Sequence, residues 1–349
     1  MNLHDLETPC AIVDLDRLEA NIENLQAYLG GHGIANRPHM KTHKVPEIAR
    51  MQMKAGAIGT TCQKLGEAEV MADGGIEDIF LPYNLLGAAK LDRLVRLARR
   101  VRMSVTADSA VVVEGLSAAI AKAGLTLPVL VEFDTGIGRC GVQTPGEARE
   151  LARTIAASPG LVFAGLMTYP HNEQTVPFVE ETTALLGRDG IKPGIVSLGG
   201  TSGMKQAHTR KGVTEYRAGM YAFGDRSSIA SGATTLANSA LTILTTVVSR
   251  PTPDRGILDA GSKTISSDLL GLTGHGHVVE YPEATIGKLT EEHGHGDFGP
   301  CARKPKIGER VRVIPNHCCQ IANLLGTLYG VRGEEVRIVW PVLARGKVQ

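Results

Sequence analysis

At 349 residues, 43% of them hydrophobic, the chain can bury a large core, and its length predicts one big domain with a smaller one or two comparable ones, not a disordered segment. Lys and Arg number 37 against 36 Asp and Glu, a formal net charge of +1, so no global field draws the protein to nucleic acid or to an anionic membrane. The start, "MNLHDLETPCAIVDL", shows no basic leader with an apolar core, no later run is apolar enough to span a bilayer, and the six cysteines keep no disulfide-scaffold spacing; these features predict a cytoplasmic chain with reduced thiols.

From the N-terminus, "LDRLEANIENLQAYLGG" reads as a helix ended by glycines. Short β-rich runs then alternate with helix-patterned segments. The strand candidates are 37–41, 58–62, 79–83, 102–107, 128–133, 163–169, 195–200 and 215–221, eight in all, the number that closes a parallel barrel. Between them, "VPEIARMQMKAG", "GEAEVMADGG", "AAKLDRLVRLARRV" and "PGEARELARTIAA" carry apolar residues at three- and four-residue intervals. In the third, Leu91, Leu94, Val95 and Leu97 form one stripe, and Arg93, Arg96, Arg99 and Arg100 read as a solvated face. Past about residue 230 the texture changes to β-branched runs separated by turns, such as "LTILTTVVSRP" and "EEVRIVWPV". The expected architecture is therefore α/β: a (β/α)8 TIM-type barrel over 10–230 followed by a mainly β domain over 231–349, with the N-terminal residues, 1–9 among them, a candidate partner for the second domain.

"RPHMKTHKVPE", residues 37–47, concentrates nitrogen bases where a strand meets a helix. Side chains alternate along a strand, so Arg37, His39 and Lys41 are expected to share one face, with Lys41 at the strand's C-terminal end, where barrel enzymes keep their chemistry. An amine partly desolvated among positive charges can form a Schiff base; the stretch alone favours a plain salt-bridged lysine. Lys44 is the weaker candidate, expected in the first turn of the following helix. "SLGGTSG" and "RAGMYAFGD", around the seventh and eighth strands, place Gly199, Gly200, Thr201, Gly219 and the backbone near Met220 where barrels often hold a phosphate.

"DTGIGRCG" contains the dinucleotide spacing of glycines, but it falls inside a run of βα units with an arginine in its middle, which keeps a nicotinamide oxidoreductase only as a minor reading. Arg139 there is better placed to face a ring oxygen or a substrate carboxylate. In "VIPNHCCQIAN", His317 and Cys319 are two apart and on a strand would face the same way, a nitrogen–sulfur pair suited to a divalent metal with positions left for water and substrate; a core cysteine beside a surface histidine is the plain alternative. "EEHGHGDF" adds Glu292, His293, His295 and Asp297 as further ligands, acid–base groups or a polar loop.

In this order, "RPHMKTHK", "CQKLGEAEVM", "GRCGV", "GGT", "AGMY", "DAGSK", "EEHG" and "PNHCC" resemble the D-threonine aldolase and D-serine dehydratase family, lyases with an alanine-racemase-like barrel that use pyridoxal 5'-phosphate. The resemblance covers nearly the whole chain. It implies that Lys41 carries the Schiff base, that Arg139 and Tyr169 line the cofactor, that Gly200, Thr201, Gly219 and Tyr221 lie near its phosphate, and that His317 and Cys319 hold a divalent ion (Mn, Zn or Mg). It further implies a homodimer acting on a D-3-hydroxyamino acid. Aldolases of the family often have Asp where Cys319 stands and dehydratases often have Cys, and the segment between Tyr169 and "SLGGT" is short for the family, so no substrate-contacting residue there is carried over. The resulting expectation is a D-threonine aldolase, with a D-serine or D-3-hydroxyaspartate dehydratase as the alternative and a non-catalytic carrier of the cofactor as the remote one.

Overall fold

The computed structural model describes residues 1–349 as two compact units. One comprises Leu25–Lys41, Pro46–Gly219 and Lys347–Gln349, the other Met1–Asn24, Thr42–Val45 and Met220–Gly346. No helix is long and apolar enough to cross a membrane.

In the first unit eight strands run parallel in the order Ala35–Asn36, Thr60–Thr61, Asp78–Leu81, Arg102–Ala107, Leu127–Glu132, Leu161–Met167, Ile195–Gly199 and Glu215–Arg217. The last returns to the first through Ala35 opposite Glu215, and the first meets the second through Ile58 N–H to Asn36 O (2.9 Å) and Thr61 N–H to Pro38 O (2.8 Å). The ring is therefore a TIM-type barrel, as expected. Its intervening helices start where the local chemistry dictates. Pro145–Ala157 opens with a capping box in which Thr144 Oγ1 accepts from Glu147 N–H (3.2 Å), Glu147 Oε2 accepts from Thr144 N–H (3.2 Å), and proline takes the first turn. Ala88–Ala98 buries Leu94 and Leu97. The arginine face is solvated as expected, with Arg96, Arg99 and Arg100 exposed; three of the four also tie to neighbouring elements, as the half-buried Arg93 forks onto Glu69 (2.8 Å for each bond), Arg100 pairs with Asp73, and Arg99 donates to Ala123 O (2.9 Å).

The barrel interior carries buried charge. Arg37 is 6% exposed; its Nε donates to Glu215 Oε2 (2.7 Å) and its Nη1 to Asp78, joining the first strand's end to the last and third strands. Gly59 leaves room for that guanidinium, since a Cβ there would lie 2.4 Å from Arg37 Nη1. Glu215 also accepts from Ser197 Oγ (2.5 Å), which in turn accepts from Arg217, and Arg217 donates to Thr168 O (3.0 Å). Glu132, at the end of the fifth strand, is pushed up to about 7 by burial, against the pull of Arg139 and Arg217 and with Asp108 and Asp134 adding to the rise.

The second unit is built on a nine-stranded sheet whose main path runs Thr285–Leu289, Gly294–Asp297, Arg255–Leu258, Leu241–Ser249, Cys10–Asp14, Thr327–Arg332 and Glu335–Pro341; Arg310–Ile314 pairs with Leu241–Ser249 and with His277–Val278. Cys10–Asp14 lies inside this sheet, antiparallel to one neighbour (Cys10 opposite Leu244) and parallel to the other (Ala11 opposite Leu328). This pairing places Cys10–Asp14 in the β-rich unit, and the compact units change over at Asn24 and at Gly219.

Removing a partner of a buried ion pair leaves an uncompensated charge, at a cost of roughly 3–5 kcal/mol. Arg37→Ala is expected to lower the unfolding free energy by about that much in urea titrations, because the buried Glu215 then loses its guanidinium partner while Asp78 keeps only the exposed Arg102. For Glu132 the folded protein holds its proton more tightly than the unfolded chain does, so stability falls as pH rises from the ordinary 4.5 through about 7. Glu132→Gln should flatten that decline, read as urea midpoints at pH 5 and pH 8.

Candidate active site

Lys41 lies in the barrel unit, in a 3-10 turn over Met40–Thr42, beyond the point where strand pairing ends. The alternation expected of 37–41 does not hold: ladder pairing stops at Asn36 with one further bridge at His39, and the chain then turns, so Arg37 and Lys41 are not neighbours on a strand face. Arg37 serves the interior ion pairs, and Lys41 is half-buried with its Nζ 5.7 Å from the centroid of the Tyr169 ring. The Arg139 guanidinium lies 5.1 Å from the same centroid. Tyr169 thus stands under both cations, an arrangement that uses the negative face of the ring and orients both groups. Behind Arg139, its Nη2 is 3.9 Å from Glu132 Oε1. Lys44 belongs to the other unit, in a left-handed turn (φ 57°) ahead of the helix that begins at Pro46, not in its first turn; its Nζ donates to Asn323 Oδ1 (3.0 Å).

The glycine loop before Arg139 does not form a dinucleotide cradle. Asp134 takes the N–H groups of Gly136 (3.1 Å), Ile137 (3.0 Å) and Gly138 (3.1 Å), and Asp108 takes that of Gly141 (3.2 Å), so carboxylates of the chain occupy the donors a pyrophosphate would need. The Gly199–Gly203 loop is different. Gly200 has φ +113°, and a Cβ on it would lie 3.5 Å from the Tyr169 ring, so glycine lets the backbone turn close beside the aromatic face. The N–H groups of Gly200, Ser202 and Gly203 donate to no backbone carbonyl, whereas the carbonyls of Gly200, Thr201 and Gly203 are all engaged, by Tyr216 Oη (2.6 Å), Met204 N (3.2 Å) and Gln206 N (3.0 Å). Such a loop, turning its donors one way and its acceptors another, suits a phosphate dianion. Thr201 is buried beside it, and Gly219 closes the unit just after the last strand. An amine and a phosphate cradle in one barrel, with an aromatic face and a guanidinium between, fit pyridoxal 5'-phosphate.

Tyr221 falls in the β-rich unit, buried in the 3-10 turn Met220–Ala222. His317 and Cys319 are there too, but not on a strand. His317 is the extended N-cap (φ −140°) of the helix Cys318–Leu324, whose first N–H, that of Cys318, donates to Asp225 Oδ2 (3.0 Å). A shared strand face is therefore replaced by a strand-like cap and the first turn of a helix, and the two side chains still meet through a hydrogen bond. Asn316 is 3% exposed and clamps the neighbouring loop, its Nδ2 donating to Gly274 O (2.9 Å) and its Oδ1 accepting from Arg226 (2.7 Å). That clamp brings Asp268 Oδ2 within 2.9 Å of His317 Nδ1. Burial pulls the imidazole's pKa down, but Cys319, Asp268 and Asp225 outweigh it and raise it to about 9. Thr42 Oγ1 lies 3.3 Å from Cys319 Sγ.

An imidazole oriented by a carboxylate, beside a thiol, is a donor set that fits a borderline divalent cation. No group of three or more His, Cys, Asp or Glu converges to hold a metal, so the pair fits an open site and not a closed structural one. Glu292, one of the further candidates, is ion-paired with Lys263 (2.6 Å), and His295 and Asp297 lie in the strand Gly294–Asp297 opposite Ile257 and Arg255. Sequence reasoning passed over Asp268, Glu132, His171 and Tyr216. None has a spacing signal, since Asp268 stands 49 residues from His317 and Tyr216 stands 45 from His171.

Known proteins give this geometry its context. Residues 13–227 match the alanine racemase N-terminal domain and residues 240–331 the serine dehydratase domain. The chain is 37% identical to a D-threonine aldolase of Arthrobacter sp over 98% of its own length and 93% of the relative's. It is 35% identical to a 3-hydroxy-D-aspartate aldolase of Paracoccus denitrificans (99% and 94%) and 30% identical to a D-threo-3-hydroxyaspartate dehydratase of Delftia sp. (90% and 91%). Among solved structures it superposes on D-threonine aldolase from Filomicrobium marinum with a TM-score of 0.93 at 32% identity, covering 100% of this chain and 98% of that one. A cysteine-to-alanine variant of a D-threo-3-hydroxyaspartate dehydratase, in the metal-free form, superposes at 0.86 with 26% identity and 98% of each chain covered. With a family domain spanning most of the barrel and full-length likeness to two aldolases and a dehydratase, the chain belongs to the D-threonine aldolase and D-serine dehydratase family, carbon–carbon and carbon–oxygen lyases on the alanine-racemase-like fold.

Proposed function

We propose that the chain is a pyridoxal 5'-phosphate- and divalent-metal-dependent lyase that cleaves D-3-hydroxyamino acids, most simply a D-threonine aldolase yielding glycine and an aldehyde. The observation that carries the reading is the convergence of the Lys41 amine and the Arg139 guanidinium on the Tyr169 ring, at 5.7 and 5.1 Å, beside the Gly199–Gly203 loop. Bound there, pyridoxal phosphate would supply an electron sink for a bond broken at Cα, and a divalent ion on His317 and Cys319 would supply a Lewis acid for a hydroxyl.

The chain's own residues do the rest. Lys41 would hold the cofactor through its Nζ, and the same amine, when free, can take or return a proton at the substrate. Tyr169 gives the ring a flat wall, and Arg139, restrained by Glu132, presents its N–H fork to a ring oxygen or to the substrate carboxylate. Gly200, Thr201 and Gly219 receive the phosphate. Asp268 fixes the ring orientation of His317, leaving the other nitrogen to the metal side. For aldol cleavage the β-hydroxyl must lose its proton; for dehydration Lys41 takes the Cα proton and the hydroxyl leaves.

Full-length likeness to two aldolases, at 37% and 35% identity, favours the first route over the second, whose relative stands at 30%. Dehydration of D-serine or D-3-hydroxyaspartate stands as the second reading on one observation, the thiol of Cys319 in the metal pair.

Incubated with pyridoxal phosphate and Mn or Zn ions, the protein should convert D-threonine to glycine and acetaldehyde; 2-oxobutanoate with ammonia would instead assign the dehydratase, and Lys41→Ala should abolish the visible imine band and cut turnover by about 10³-fold or more. Asp268→Asn should weaken metal affinity by roughly 10–100-fold, measured by chelator competition, while the imine band stays in place. A band that disappears together with the metal would contradict the assignment of separate roles.

A further inference from the structure

His171, two residues after Tyr169, is 9% exposed and makes hydrogen bonds from both ring nitrogens. Arg210 Nε donates to Nδ1 (3.1 Å), a nitrogen that must therefore be bare. The ring proton sits on Nε2, 3.0 Å from Tyr216 Oη and 3.2 Å from Gly203 O. Burial, and after it the charge of Arg210, lowers the imidazole's pKa despite the Gly203 carbonyl, which keeps it neutral and the chain of donors directional. Tyr216 is fully buried, which drives its phenol far above the ordinary value, so it remains a donor; Oη–H goes to Gly200 O at 2.6 Å. The order is Arg210 to His171 to Tyr216 to the carbonyl of Gly200.

In a planar trans peptide the carbonyl and the next N–H are rigidly linked, so holding the Gly200 carbonyl on Tyr216 fixes the plane of the Gly200–Thr201 peptide and with it the course of the loop. The same imidazole presses on the loop's far end. A Cβ on Gly203 would lie 2.2 Å from His171 Nε2, so the loop has its glycine where the ring stands.

We propose that Arg210, His171 and Tyr216 form a relay of positioning residues that locks the Gly199–Gly203 loop in the peptide orientation that accepts a phosphate ester. The inference rests on the reading that this loop takes the phosphate of pyridoxal phosphate. The relay's role is to hold the acceptor loop still before binding, which lowers the ordering cost of capture and acts on the phosphate end alone.

His171, Gly203 and Arg210 also line a cleft of about 480 Å³, wide enough to admit a small base. This makes chemical rescue the sharpest test. Binding of pyridoxal phosphate and of pyridoxal, which lacks the phosphate, is measured by equilibrium dialysis and imine absorbance for wild type, Tyr216→Phe, His171→Ala and Arg210→Gln, with thermal unfolding of each cofactor-free protein. Loss of one directed hydrogen bond is expected to raise the Kd for pyridoxal phosphate about 10-fold, with that for pyridoxal unchanged and free imidazole restoring His171→Ala. Gly203→Ala should weaken binding in the wild-type background and do so less in His171→Ala, where the ring is gone. Arg210, only half-buried, serves where the core variants fail to fold. A Kd for pyridoxal phosphate within twofold of wild type, or equal weakening of both ligands, overturns the relay. A wild-type chain that binds no pyridoxal phosphate overturns the cofactor reading itself, and the relay with it.

Discussion

The Arg37 guanidinium, buried between Glu215 and Asp78, is the interaction on which the barrel depends. The first strand pairs regularly over only two residues, as short as the second strand beside it, and its backbone bonds to the neighbours on either side are few. A charge-assisted bond to the eighth strand and another to the third hold the seam from inside, where low polarity strengthens each. Lys41 follows four residues later, so the position of the amine inherits whatever precision that seam has.

Charge inside the barrel is arranged as a series, not as isolated pairs. Arg37 shares Glu215 with Ser197, Ser197 serves Arg217, and Arg217 reaches Thr168, next to Tyr169. The aromatic ring under Lys41 and Arg139 is thus one residue from a buried, hydrogen-bonded cation. Rigid support of this kind keeps a binding face in one rotamer, which catalysis needs more than it needs added affinity. Glu132 and His171 add their own ties to Arg139 and to the glycine loop, so these two candidate cofactor contacts are backed by polar groups behind them.

The β-rich unit solves a similar problem with backbone caps. Asp225 takes the N–H of Cys318 and also caps the short helix Arg226–Ala230, while Asn316 ties Arg226 to the loop carrying Asp268. His317 and Cys319 are consequently oriented from three sides by groups that are distant in sequence.

Much of this was legible in the residues themselves. Alternating β-branched and amphipathic runs, eight strands in number, specify a parallel barrel because the two periodicities bury different faces, and the change of texture near 230 marks a second hydrophobic arrangement. Lys41, Arg139, the glycine loop and the His317–Cys319 pair stand out because lysine, glycine pairs and nearby soft ligands have chemistry that local spacing exposes, whereas Tyr169 entered only through the family resemblance. What tertiary structure alone decided is everything that depends on which distant residue meets which: Arg37 as an internal clasp, the 3-10 turn that replaces a strand at Lys41, Asp268 behind His317, and His171 and Tyr216 behind Gly200. A sequence encodes local periodicity and residue chemistry directly, but a buried polar group is satisfied by whichever partner the closed fold brings to it, and no spacing along the chain records that choice.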